Sequence, residues 1–282
     1  SRRPLRVEQM AIARLEHLLQ CLKVTEASPG SWIAPNLDMD YHRIFGGQLL
    51  AQAVMVATAS AEGRTVRSLS CLFPREGAVD QPYTFDVEAS QTGRTFAARR
   101  ITAQQDNKVF FLAQASLHVD EPGPEHQEPS PDLGVPADGK PEEMTMIPWE
   151  TRVVGSVDLR DPKVGPAEYA FWTRVGDTDL GSVQATHQAL LAYATDLTVI
   201  GTALRPLEGI SQADAGSSLH TAVTGHSIWF HRPFRIDDWC VINQRAPIAA
   251  GGRAFGHGNV FDRNGRLVAS FTQESMIRPV AV

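Results

Sequence analysis

Gly47-Gln-Leu-Leu-Ala-Gln-Ala-Val-Met-Val-Ala57 and Gln184-Ala-Thr-His-Gln-Ala-Leu-Leu-Ala-Tyr-Ala194 are the two stretches whose reading decides the fold. Both are rich in Ala and Leu, which lose little freedom in a helix. Both are apolar on most sides, the pattern of a helix enclosed by other elements rather than lying on a surface. Strand patterns follow each helix, with alternation and β-branched or aromatic content. After the first they are Arg67–Phe73, Tyr83–Ala89, Thr95–Gln104 and Lys108–Val119; after the second, His226–His231, Trp239–Ala246, Arg253–Phe261 and Arg266–Ile277. Asp106-Asn107 and Asn264-Gly265 join the last two strands of each set, as tight hairpins require. The chain therefore repeats one unit, a buried helix plus an antiparallel meander. A further amphipathic helix is expected over residues 8–22, on Met10, Ile12, Leu15, Leu18, Leu19 and Leu22.

Between the repeats, Asp120–Pro166 holds Pro122, Pro124, Pro129, Pro131, Pro136, Pro141, Pro148, Pro162 and Pro166, half of the 18 prolines. Proline fixes φ and removes a donor, so no continuous helix or central strand is expected there. The division expected is a first domain over 1–120, a Pro-rich linker over 121–148 and a second domain over 149–282. Thr151–Asp158 is a candidate opening strand for the second.

The 282 residues carry a formal charge of −6 and 43% hydrophobic residues, an ordinary globular mix without the basic excess of a nucleic-acid binder. No apolar run approaches the ~18 residues of a membrane span, so no membrane insertion is expected. No apolar segment follows Ser1-Arg2-Arg3-Pro4, and Pro279-Val-Ala-Val282 differs from a Ser-Lys-Leu ending, so the cytoplasm is the expected compartment. Cys21, Cys71 and Cys240 are odd in number and widely spaced, which argues against a disulfide framework and a thiolate metal site. There is no GxSxG elbow and no Walker loop. Gly256-His-Gly258 lies inside a strand pattern with Phe261 where a third glycine belongs, so no dinucleotide is expected. His226 and His231 point to opposite faces of a strand and read as packing or hydrogen-bonded residues; no metal is expected. Arg99-Arg100 and Arg232 read as solvated sheet residues before anion contacts.

Four segments, Arg43-Ile-Phe-Gly-Gly-Gln48, Tyr193-Ala-Thr-Asp-Leu197, Trp229-Phe-His-Arg-Pro-Phe234 and Leu267-Val-Ala-Ser-Phe-Thr-Gln-Glu274, resemble in order and spacing the acyl-CoA thioesterase II family, bacterial and peroxisomal. The resemblance implies an α+β double hot-dog fold, in which each half wraps an antiparallel sheet around a long helix. It also implies an acyl-CoA substrate, no cofactor, and a catalytic set of Asp, Gln and a Ser or Thr that activate water. A homo-oligomer is expected, because the wide sheets of such folds associate. The rival readings are a hot-dog enoyl-CoA hydratase and a non-catalytic acyl-CoA-binding protein.

The matching positions are Asp196 and Gln273. Asp196 closes a predicted helix, where the macrodipole disfavours a carboxylate; burial there would raise its pKa and make it a better base. Gln273 can donate and accept, so it can hold a water without competing for its proton. The family's hydroxyl falls on Val223. Thr221 shares that face on a regular strand, whereas a bulge at Gly225 would turn Thr224 inward. Thr224 is the expected third residue, the alternative being a site without a hydroxyl there. Gly46, Gly47 and Gln48 open the first helix and are expected to bind the thioester carbonyl through helix-start N–H groups. Met55 and Ala115 stand opposite Asp196 and Gln273 in the first half, and Gln114 is one residue out of register, so one site per chain is expected.

Overall fold

The computed structural model describes residues 12–280. The front helix spans Leu15–Cys21 (α1), and residues 8–11 of its predicted span, Met10 included, lie outside the described residues. A hairpin of Thr25–Ser28 (β1) and Ser31–Ile33 (β2) precedes the first long helix, Gly46–Ala59 (α2). The first meander is Thr65–Leu72 (β3), Thr84–Thr92 (β4), Phe96–Gln105 (β5) and Lys108–His118 (β6). Asp106 and Asn107 both have positive φ (48° and 59°), the geometry of a two-residue hairpin turn.

The proline-rich tract is irregular from Val119 to Val135 and then adds Lys140–Pro141 (β7) and Glu150–Val153 (β8). It is tied to both halves. Thr145 O accepts from Ala13 N at 2.8 Å, Met146 O accepts from the Tyr193 hydroxyl at 2.6 Å, and Ile147 is buried. The second half contains Glu168–Arg174 (β9), Gln184–Thr195 (α3), Val199–Leu204 (α4), Leu219–Phe230 (β10), Cys240–Ala250 (β11), Arg253–Asp262 (β12) and Leu267–Pro279 (β13).

The thirteen strands of the described residues form one sheet, in the order β1-β2-β4-β5-β6-β3-β10-β13-β12-β11-β9-β8-β7. The halves join where β3 pairs antiparallel with β10, His226 opposite Cys71 and Ser227 opposite Ser70. Equivalent strands of the two halves thus lie side by side at the centre, the pseudo-dimer of a double hot-dog. α2 and α3 pack against each other inside the curved sheet. Leu49, Leu50, Ala53 and Val54 on α2 and Ala189, Leu190, Leu191 and Ala192 on α3 are all buried, so both helices are covered nearly all round. Each leucine contributes roughly 1.5–3 kcal/mol by leaving water. Gln188 of α3 donates to Val66 O of β3 at 2.9 Å, which satisfies a buried amide across the joint.

α4 and the short strands β1, β2 and β7 have too few residues for a periodic signal, and β9 lies between Pro166 and Gly176. β10 begins seven residues before the predicted His226, because Leu219–Gly225 alternates poorly yet pairs along its length with β13.

Candidate functional site

Asp196 is the residue at which α3 stops; its N–H reaches Tyr193 O at 3.4 Å, and the chain then turns into α4. It is 3% exposed. The C-terminus of α3 abuts the N-terminus of α2. An alanine-type Cβ on Gly46 would come within 2.8 Å of Asp196 Oδ2, and one on Gly47 within 2.7 Å of Tyr193 O. Gly47 therefore permits a helix-to-helix approach that a side chain would block, and Gly46 leaves room for the carboxylate itself. This contact also resolves why a carboxylate tolerates the negative end of its own helix: the positive end of α2 faces it. Burial lifts the Asp196 carboxyl from its ordinary 3.8 to about 7, while the Gly47 N–H and the Arg43 charge hold it down in part. Its Oδ1 has no hydrogen-bond partner among the described residues.

Gln273 lies on β13, 1% exposed, directly across from His226 on β10. His226 Nδ1 donates to Gln273 Oε1 at 3.1 Å, and the same nitrogen is 3.9 Å from Asp196 Oδ1. Asp196 and Gln273 thus converge on one imidazole nitrogen. His226 Nε2 faces the Thr195 hydroxyl at 3.1 Å, and its ring stacks on Phe271. Burial lowers the His226 pKa to about 4, opposed in part by its bond to Gln273. His226 is therefore neutral near pH 7, and its approach to Asp196 is a dipole contact rather than an ion pair. The sequence reading took His226 for a packing or hydrogen-bonded residue. The signal that could have singled it out is the alternation His226, Ile228, Phe230, which places an imidazole on the core face of β10 beside apolar neighbours.

Two expected residues are placed differently. The bulge does fall between Val223 and Gly225, but it turns Thr224 outward. Thr224 Oγ1 approaches both the backbone oxygen and Oε1 of the exposed Glu274 at 3.2 Å, away from Gln273, which points to the other face of β13. Thr224→Val is expected to change kcat by less than about twofold, since removing an exposed hydroxyl strands no buried group; steady-state assays on the purified variant check this. Gln48 is buried, with its amide committed to the first half: it accepts from Leu37 N and donates to Asn36 Oδ1 and the Tyr83 hydroxyl. It braces the loop before α2 instead of facing Asp196. Gly47 also takes a different partner from the one expected, its N–H stabilising the Asp196 carboxylate.

Among the described residues the first half has no matching set. β3 pairs with β6 so that Leu69 opposes Ala115, the positions that His226 and Gln273 hold in the second half. Gln114 is exposed and faces the other way. Cys71 is the thiol within electrostatic reach of Asp196. Its Sγ donates to His226 O, and burial, reinforced by the Asp196 charge, pushes its pKa well above the usual value, so it is no thiolate nucleophile. Cys21, Cys71 and Cys240 are all free and buried. Among the described residues no three His, Cys, Asp or Glu side chains are grouped to hold a metal, and no helix is long and apolar enough to cross a membrane.

Comparison with known proteins bears on this geometry. Residues 35–118 match the acyl-CoA thioesterase N-terminal domain model and residues 120–277 the C-terminal domain model. The chain is 32% identical to acyl-CoA thioesterase 2 of Haemophilus influenzae, covering 94% of this chain and 98% of that one. It is 31% identical to human acyl-coenzyme A thioesterase 8, covering 84% and 81%. Among solved structures, the acyl-CoA thioesterase II TesB2 of Mycobacterium marinum superposes with a TM-score of 0.80 at 29% identity, covering 94% of this chain and 99% of that one. With both domain models matched in order and relatives aligned nearly end to end, the chain belongs to the acyl-CoA thioesterase family.

Proposed function

We propose that this chain hydrolyses acyl-CoA thioesters to a carboxylic acid and CoA, with a water molecule activated by Asp196 and held by Gln273. The observation that carries this reading is the carboxylate itself. It is buried, its pKa is raised to about 7, and Oδ1 is unpartnered beside an amide fixed by a neutral histidine. A base with a pKa near the working pH is half ionised there and still able to take a proton from water. Water donates to Asp196 Oδ1 and accepts from Gln273, then attacks the thioester carbon. The start of α2 serves two negative charges in turn. As Asp196 takes the proton its demand on the Gly47 N–H falls, while the thioester oxygen gains charge at the same helix end. Thiolate departure completes the reaction, and the acyl chain lies between helix and sheet.

The hydratase reading asks a histidine to exchange protons. His226 is close to Asp196, but both its ring nitrogens are engaged and its pKa is about 4, which favours hydrolysis. The test is free-thiol release from acyl-CoAs of increasing chain length, run beside crotonyl-CoA. Thiol release with no loss of the enoyl absorbance supports the proposal. Hydration of crotonyl-CoA supports the hydratase, and tight binding with no thiol over hours supports a carrier.

The ionised form of Asp196 is the active one, so kcat/KM is expected to rise as pH climbs through about 7 and to level off above it. The sign is that of a base with a raised pKa. A profile measured between pH 5 and 9 that is flat, or that falls across neutrality, removes Asp196 from the role.

A further inference from the structure

We propose that Ser275 is a positioning residue of this site, holding the nitrogen end of the Gln273 amide so that a donor faces the attacking water. The inference rests on the thioesterase reading for its catalytic meaning and on geometry alone for its placement.

Ser275 follows Gln273 by two residues on β13, so the two side chains share the inner face of the strand. It is 1% exposed, as Gln273 is. Its Oγ accepts from Gln273 Nε2 at 3.2 Å. The other end of the amide, Oε1, takes the His226 Nδ1 proton at 3.1 Å. An amide oxygen accepts and an amide nitrogen donates, so the two partners divide the work. The Nδ1–H decides which end carries oxygen, and Ser275 keeps the nitrogen end from swinging. One Nε2–H is used by Ser275. The second remains, and it supplies the donor that a water needs while its own proton goes to Asp196 Oδ1. An amide free to rotate would spend part of its time with the carbonyl turned to that water, adding a second acceptor where a donor is required.

The position is informative. Ser275 is the cross-strand partner of Val223, the residue on which a hydroxyl was expected from the sequence. Thr224 is turned outward to Glu274 and Val223 has no hydroxyl. The hydroxyl bonded to Gln273 comes from the facing strand instead. Directly opposed side chains on one face have Cβ atoms roughly 4.5–5.5 Å apart, so either strand can deliver a hydroxyl to the same amide.

That interchangeability supplies the test. Ser275→Ala is expected to lower kcat about tenfold, the worth of one buried hydrogen bond, with KM within about twofold and the pH inflection near 7 unmoved. Adding Val223→Ser to Ser275→Ala is expected to return most of the lost kcat. A merely structural serine would not be replaced from the opposite strand. Full activity in Ser275→Ala, or a double variant that melts like the parent and recovers nothing, overturns the proposal. A second readout does not depend on hydrolysis: the Gln273 side-chain N–H resonances of the 15N-labelled protein. Slow exchange in the parent, lost in Ser275→Ala and regained in the double variant, supports the positioning role; an unchanged exchange rate in Ser275→Ala overturns it. If the parent releases no thiol from any acyl-CoA, the hydrolase reading fails separately, and the resonances still decide Ser275.

Discussion

Asp196→Asn is expected to cut kcat by about 10²–10⁴-fold, the usual contribution of a general base, and at the same time to make the protein more stable at pH 8. The two effects share one cause. In the folded chain the carboxyl titrates near 7, against 3.8 when exposed. A raised carboxyl pKa means that the folded state binds a proton more tightly than the unfolded state does. The associated stability is full below about pH 4 and is lost as pH rises to 7. Above that, the buried charge costs on the order of 4 kcal/mol. Asn is nearly isosteric and carries no charge, so it removes the cost. Thermal melts of parent and variant should diverge by several degrees at pH 8 and converge as pH falls toward 4. An equally active variant ends the mechanism. An inactive variant with no gain in melting temperature at pH 8 shows that burial does not set the pKa.

Gly46→Ala is expected to lower kcat by about 10- to 100-fold with little change in melting temperature, whereas Gly47→Ala is expected to cost about 1–3 kcal/mol of stability. The neighbours explain the difference. The atoms nearest to the new methyl at 46 all belong to the Asp196 carboxylate, with Oδ2 at 2.8 Å and Oδ1 at 3.3 Å, so the methyl pushes the carboxylate out of line. The new methyl at 47 meets the Tyr193 backbone carbonyl at 2.7 Å, which cannot retreat without separating α2 from α3, and the buried Phe45 ring at 2.5 Å, which packs on Tyr193. A Gly46→Ala enzyme with parental kcat would show that the carboxylate has room to move, and the tight seat described for it would be wrong. Kinetics and melting curves on both variants separate the two outcomes.

Ser275 shows how much of a site pairwise motif reading leaves out. Reading along β10 alone places the candidate hydroxyls on Thr221, Thr224 or nowhere, since each lies within three residues of Val223. The hydroxyl bonded to Gln273 lies 52 positions further on in the chain, and only strand pairing makes it a neighbour of that position. The outward turn of Thr224 has the same origin. A bulge was legible in Gly225, but its direction is set by the ladder to β13, where Glu274 offers an exposed acceptor.

The sequence by itself determined the repeat, the two enclosed helices and most of the long strands, and its family resemblance singled out Asp196 and Gln273. These depend on local composition, on periods of 3.6 and 2, and on motif order, all of which survive without coordinates. It could not determine what the carboxylate faces. At the end of α3 alone, Asp196 reads as a poorly placed charge. The meeting of Asp196 with the start of α2 at Gly46, 150 residues earlier, turns the same position into a seat for a buried carboxylate. Gln48 and Gly47 changed partners for the same reason: which N–H or amide reaches which oxygen is settled by how two helices slide past each other inside one sheet. His226 is the clearest case, a core-face histidine by its alternation, and the atom on which Asp196 and Gln273 converge only once β10 and β13 are laid side by side.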